Sequence, residues 1–237
     1  MLSRRRYILA FAALALGTGN AFATPTGQPA LKRADRKAHN IFAPFYRMGG
    51  VLGFAVYDHA DNDEADARAA IHDTLVKLGK VDDLALNSLH PRQLSEAQFF
   101  GDWYTPDGNL VWNGTITTSD GRRLERPTFR TLAGVKVASA SAGGPDIGQG
   151  GQFAYAFANP PYPLTAPYDH VQRVFDGIRH ALLPPGDTCI ITDWTRPDLD
   201  KVSAYFAPGK EWWGVFLFTI YDTSTRRLTV IIGSATD

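Results

Sequence analysis

Two segments near the C-terminus, "EWWGVFLFTIY" (211–221) and "RLTVIIG" (227–233), leave the chain few ways to fold. Both are β-prone, and neither alternates apolar with polar residues as a half-exposed strand does. A strand apolar on both faces must be covered on both, so these two are expected centrally in a sheet with other elements packed above and below. A polar turn joins them, which makes them antiparallel neighbours.

The other segments supply partners and cover. "GVLGFAVYDH" (50–59) and "TCIITDW" (188–194) read as further strands. "DNDEADARAAIHDTLVKLG" (61–79) reads as a helix, with Asp61 and Glu64 in capping-box spacing and Ile71, Leu75 and Leu78 as its buried stripe. "TAPYDHVQRVFDGIRHALLPPG" (165–186) is a second, with Val171, Val174, Phe175, Ile178 and Leu182 facing inward and Pro184 and Pro185 ending it. The spacing of Leu31, Ala34, Ala38 and Ile41 predicts a helix stopped near Pro44, and "RPDLDKVSAYF" (196–206) predicts a short one. From Trp103 to Leu132 the period shortens and two Asp-Gly pairs, 107–108 and 120–121, mark turns of an antiparallel meander, which 133–141 extends. The fold class is therefore α+β: a mixed, largely antiparallel sheet with a central meander and several packing helices.

The N-terminus carries an address. Arg4, Arg5 and Arg6 precede an apolar run from Tyr7 to Leu16, and Ala21-Phe22-Ala23 follows as a small-x-small cleavage pattern. A run that short cannot span a bilayer, which takes about 20 apolar residues. Basic start, short apolar middle and small-residue end describe a cleavable export signal over 1–23. "SRRRYIL" (3–9) also resembles the twin-arginine export motif, with Arg4 and Arg5 as the pair and Tyr7 as the aromatic. That resemblance implies export after folding. The mature chain is expected in the periplasm or secreted, with no integral membrane segment.

Cleavage removes 23 of 237 residues, including three of 24 basic and none of 24 acidic ones, so 24–237 is a single α+β domain of formal charge −3. Such a balance gives no reason to expect nucleic acid as a partner. Cys189 is the only cysteine, so no intramolecular disulfide forms, and its β-branched surroundings predict burial.

Three places carry candidate chemistry. In "YDHADND" (57–63), Asp58 beside His59 is a carboxylate able to orient a general base, and Asp58, Asp61 and Asp63 together suit a hard cation such as calcium. The plainer reading is helix capping. In "ITDWTRPD" (191–198), Asp193 ends another strand, and were the two strands parallel neighbours, Asp58, His59 and Asp193 would gather on one edge. In "QFAYAFAN" (152–159), strand geometry would put Phe153, Tyr155 and Phe157 on one face, as core or as the floor of an apolar pocket shared with Trp103, Tyr104 and Trp112. "GGPDIGQGG" (143–151) reads as a flexible surface loop or a mobile lid over a ligand. The histidines lack ligand-like spacing, so no metal and no cofactor is expected.

Nucleophile-elbow, zinc-protease and phosphate-loop signatures do not occur. The leading expectation is an exported binding or interaction protein, its small-molecule or protein partner unidentified. The alternative is a periplasmic hydrolase with His59 as base, oriented by Asp58 or Asp193.

Overall fold

The computed structural model describes residues 30–235 apart from Ile147 and Asp187. The export-signal reading of residues 1–23 lies outside the described residues. Strand β1 (Lys32–Arg33) leads into α1 (Arg36–His39), a 3-10 turn and α2 (Ala43–Arg47). Then come β2 (Gly53–Asp58), α3 (Glu64–Val76), α4 (Asp83–Asn87), β3 (Arg92–Leu94) and α5 (Glu96–Phe100). Strands β4 (Gly114–Thr118), β5 (Arg123–Glu125) and β6 (Val137–Ala142) precede α6 (Phe153–Ala158) and α7 (Tyr168–Leu182). The chain closes with β7 (Cys189–Asp193), two 3-10 turns over 199–206, a third at Pro208–Glu211, β8 (Val215–Asp222) and β9 (Arg227–Ser234).

The fold is α+β. Six strands form one sheet in the order β1-β2-β9-β8-β7-β3, and three form another in the order β5-β4-β6. Every pairing is antiparallel. β8 and β9 occupy the centre of the large sheet, as their two-sided apolarity requires. Alternate residues serve two cores. Phe54, Val56, Phe216, Phe218 and Ile231 face α2, α5, α6 and α7. Ala55, Tyr57, Leu217, Val230 and Ile232 face α3 and α4. The first core is built from rings: Phe99 stacks on Phe153 at 4.6 Å, Phe45 on Phe157 at 4.4 Å, and Phe42 on Phe54 at 4.2 Å. Among the described residues, no helix is long and apolar enough to cross a membrane.

Four expectations need correction. Residues 152–158 form no strand: Phe153–Ala158 is helix α6, with all six residues buried. Six residues are too few for periodicity to separate strand from buried helix, and three alanines favour the helix. Pro44 opens α2 rather than stopping an earlier helix, because a proline in a first turn has no hydrogen bond to lose. The cap of α3 is Asp63, accepting from Asp66 N–H, rather than Asp61. The meander is incomplete as well: the Asp120-Gly121 turn, with Gly121 at φ 85°, joins β4 to β5, but β6 returns to pair with β4.

A titratable contact secures the edge beside β2. The His39 ring accepts a hydrogen bond from Val56 N–H at Nε2 (3.2 Å), which obliges Nδ1–H to donate to the Asp35 carbonyl (2.9 Å). Burial lowers its pKa below the ordinary histidine value. A histidine held neutral in the fold binds its proton more readily when unfolded. Its stabilisation is therefore complete above about pH 6.5 and lost as pH falls through the folded value. Thermal melts between pH 7.5 and 5 should show the wild type losing stability relative to His39→Gln; parallel profiles would show that His39 is not the sensitive group.

Candidate functional site

The expected gathering of Asp58, His59 and Asp193 does not occur. Two strands, β9 and β8, lie between β2 and β7. The register sets Asp193 opposite Phe218, Phe218 opposite Ile231, and Ile231 opposite Phe54, four residues short of Asp58. Three strand spacings and four residues of rise put the two carboxylates roughly 20 Å apart. That exceeds the reach of groups sharing a proton directly or through one water. β2 and β7 also run in opposite directions, so their C-terminal ends lie at opposite edges.

Each acid of the first corner has a structural partner. Asp58 accepts from Arg227 Nε at 3.0 Å across β2 and β9, Asp61 pairs with Arg226 at 2.5 Å, and Asp63 caps α3. His59 is exposed, in the left-handed region at φ 64°. Among the described residues, no three His, Cys, Asp or Glu side chains are placed to share a metal ion.

Asp193 sits differently. Its side chain is fully buried, with Oδ1 accepting Thr195 N–H at 2.9 Å and Oδ2 facing Arg92 Nη2 at 3.3 Å. Burial raises its pKa, against the opposing hydrogen bond from Thr195 and the charge of Arg92. The glycine-rich segment lies on the surface, with Gly143, Gly144, Asp146 and Gln149 exposed, and its last residues cover Asp193. Gly150 lies so close that a Cβ there would collide with Asp193 Oδ2, while Gly148 packs on Pro197 and Gly151 on the Gln98 carbonyl. All three glycines have positive φ. On the side of the segment facing Gly214 and Phe216, the space left is about 10 Å³, at the limit of what one water needs. The corner is closed.

The three aromatic candidates lie in the core. Phe153 and Phe157 are fully buried and Tyr155 nearly so. Tyr155 packs edge-on to Trp103 at 5.4 Å, Trp103 to Trp112 at 5.3 Å, and Tyr104 lies 4.3 Å from Phe100. These rings do cluster, but around a helix with no face left open. Cys189 is half-buried, its thiol 3.7 Å from the Leu182 carbonyl.

A roomier surface lies on the outer side of the first core, between α2 and α7. A groove of about 610 Å³ is lined by Ile41, Pro44 and Met48 on one wall and by His170, Val174 and Gly177 on the other. Arg47, Thr165, Pro167 and Arg173 also border it. Thr165 N–H donates to the Met48 carbonyl at 2.8 Å, which holds the segment leading into α7 against the end of α2. Arg173 pairs with Asp169 at 2.6 Å, whereas Arg47 is exposed and forms no ion pair among the described residues. Among the described residues, no carboxylate lines the groove, although Asp169 pairs with the lining Arg173.

Gly177 is the informative residue. It lies inside the 15-residue α7, where glycine costs about 1 kcal/mol relative to alanine. Its φ is not positive, and a Cβ there would meet nothing within 4 Å. Neither backbone geometry nor internal packing calls for glycine, so the open wall it leaves is unexplained by the fold itself. The sequence signal was partial: a lone glycine interrupts an otherwise strong helix, but Val174, expected to face inward, is half-buried at the groove wall instead. The opposite wall was not legible, because Ile41, Pro44 and Met48 are far away in sequence.

Comparisons with family models, with curated proteins and with solved structures find no match to this chain.

Two stability outcomes separate core from site. Phe153→Ala should cost about 3–5 kcal/mol in chemical denaturation, as for a buried ring; a loss below 1 kcal/mol would mean the ring is not packed as described. Gly150→Ala should destabilise by about 1–3 kcal/mol because the left-handed backbone and Asp193 both resist a Cβ. If it were neutral, the loop would not press on the carboxylate.

Proposed function

We propose that the chain is an exported, single-domain binding protein, periplasmic or secreted, that takes its ligand in the groove between α2 and α7. The observation that carries this reading is Gly177: a helix-interior glycine, destabilising and unneeded by packing, that leaves one wall of the groove open. Backbone approached closely by a ligand is one recognised use of glycine. The groove volume falls within the range of small-molecule sites. Export rests on the basic, apolar and small-residue pattern of 1–23. The hydrolase alternative has weaker support, since its base and the more distant of its two orienting acids stand roughly 20 Å apart.

The test is a thermal-shift screen of the mature chain against organic acids, amines, amphiphiles and short peptides, run beside Gly177→Leu. A ligand present at 100 times its Kd stabilises by about 2.7 kcal/mol, which shifts Tm by about 5–10 °C in a domain of this size. Compounds that shift the wild type but not Gly177→Leu support the groove. Compounds that shift both equally would place the binding site elsewhere.

A further inference from the structure

The groove has two chemically different ends. Arg47 and His170 both line the groove, each near in sequence to the Thr165–Met48 hydrogen bond, and Arg173 follows one turn along α7. Val174 and Gly177 continue along the same side of the helix, Gly177 roughly 10 Å beyond His170 by helical rise. Facing them, Ile41 and Pro44 precede Arg47 on the other wall. Ile41 is 40% exposed, one of the few large apolar side chains so open to solvent.

A ligand matching this surface carries a negative charge at one end and an apolar body at the other. Among the described residues, the lining carries Arg47, His170 and Arg173 and no carboxylate, and this charge balance favours an anion over a cation. The apolar end further restricts the choice. Backbone amides of a docked peptide would require hydrogen-bonding partners, and apart from Arg173, which is paired with Asp169, the residues there are Ile41, Pro44, Val174 and Gly177. An alkyl chain has no such requirement. A bilayer surface is too flat to enter a concave site and would touch only its rim.

We propose that the groove binds a single-chain amphiphile with an anionic head, the head held by Arg47 and His170 and the chain lying along Ile41, Pro44, Val174 and the open backbone at Gly177. This rests on the groove being the binding site. Ile41, exposed to solvent, and Val174, half-buried, suit an alkyl partner, because their side chains are purely apolar. The two basic groups are exposed, so their replacement leaves the core intact.

The experiment is isothermal titration of the mature chain with dodecanoate below its micelle concentration, beside dodecyltrimethylammonium and dodecyl maltoside. The expected result is a single saturable site for dodecanoate, with neither other surfactant competing. Arg47→Gln should weaken dodecanoate by about tenfold, the loss expected for one charge-assisted contact, and His170→Ala should weaken it by the loss of a hydrogen-bond donor. Gly177→Ala should raise Tm yet weaken binding, and Gly177→Leu should abolish it. Equal affinity for the cationic or neutral surfactant would overturn the anionic head while leaving the groove in place. Dodecanoate binding that survives Gly177→Leu would overturn the groove itself. Association with phosphatidylglycerol vesicles but not with monomeric dodecanoate would assign the surface to a membrane and also overturn the proposal.

Discussion

The structure depends on covering both faces of β8 and β9. Phe216 and Phe218 point to one side, Leu217 to the other, and every residue from Val215 to Tyr221 is buried. A two-sided apolar hairpin left bare on either face would expose a large adhesive surface. The chain therefore commits α2, α5, α6 and α7 to one side and α3 and α4 to the other. α6 shows how strongly this constraint acts. Its six residues lie wholly inside, wedged between Phe99, Phe45 and Phe175, where tertiary packing outweighs any amphipathic pattern.

Polar groups taken into this interior are tied individually. Arg33 and Asp73 pair at 3.1 Å, with Tyr57 and Lys77 also donating to the Asp73 carboxylate, so β1 and β2 are fastened to α3. Burial raises the Asp73 pKa, but these hydrogen bonds and the charges of Lys77 and Arg33 prevail and leave it lowered. Asp193 shows the opposite balance. Its one basic partner, Arg92, is half-exposed, and desolvation prevails. Two buried acids of one type thus titrate in opposite directions, decided by how many donors the tertiary structure brings to each. Gln172 performs a neutral version of the same task, fixing the 108–110 turn to α7 by accepting Leu110 N–H at 2.8 Å.

Rigidity on one face contrasts with openness on the other side of the same helix. α7 presses Val171, Phe175, Ile178 and Leu182 into the aromatic core, which locks its position. Its adjoining stripe of His170, Val174 and Gly177 consequently forms a fixed wall rather than a mobile one. Such a wall is preorganised for a ligand, because little ordering is required on binding.

Sequence alone determined what depends on neighbours along the chain: the covered central hairpin, the strands at 53–58 and 189–193, the helices at 64–76 and 168–182, and the Asp120-Gly121 turn. These follow from local period and turn chemistry. It misplaced "QFAYAFA", since six residues satisfy both periods and only the surrounding rings choose between them. It also grouped Asp58 and His59 with Asp193, because strand order is not written in any strand. Only the tertiary structure decided that β9 and β8 separate those ends, that the glycine-rich segment seals Asp193, and that residues 41–48 face 170–177 across a groove. Each is a contact between distant segments, set by which arrangement of the whole chain buries both faces of the sheet at once.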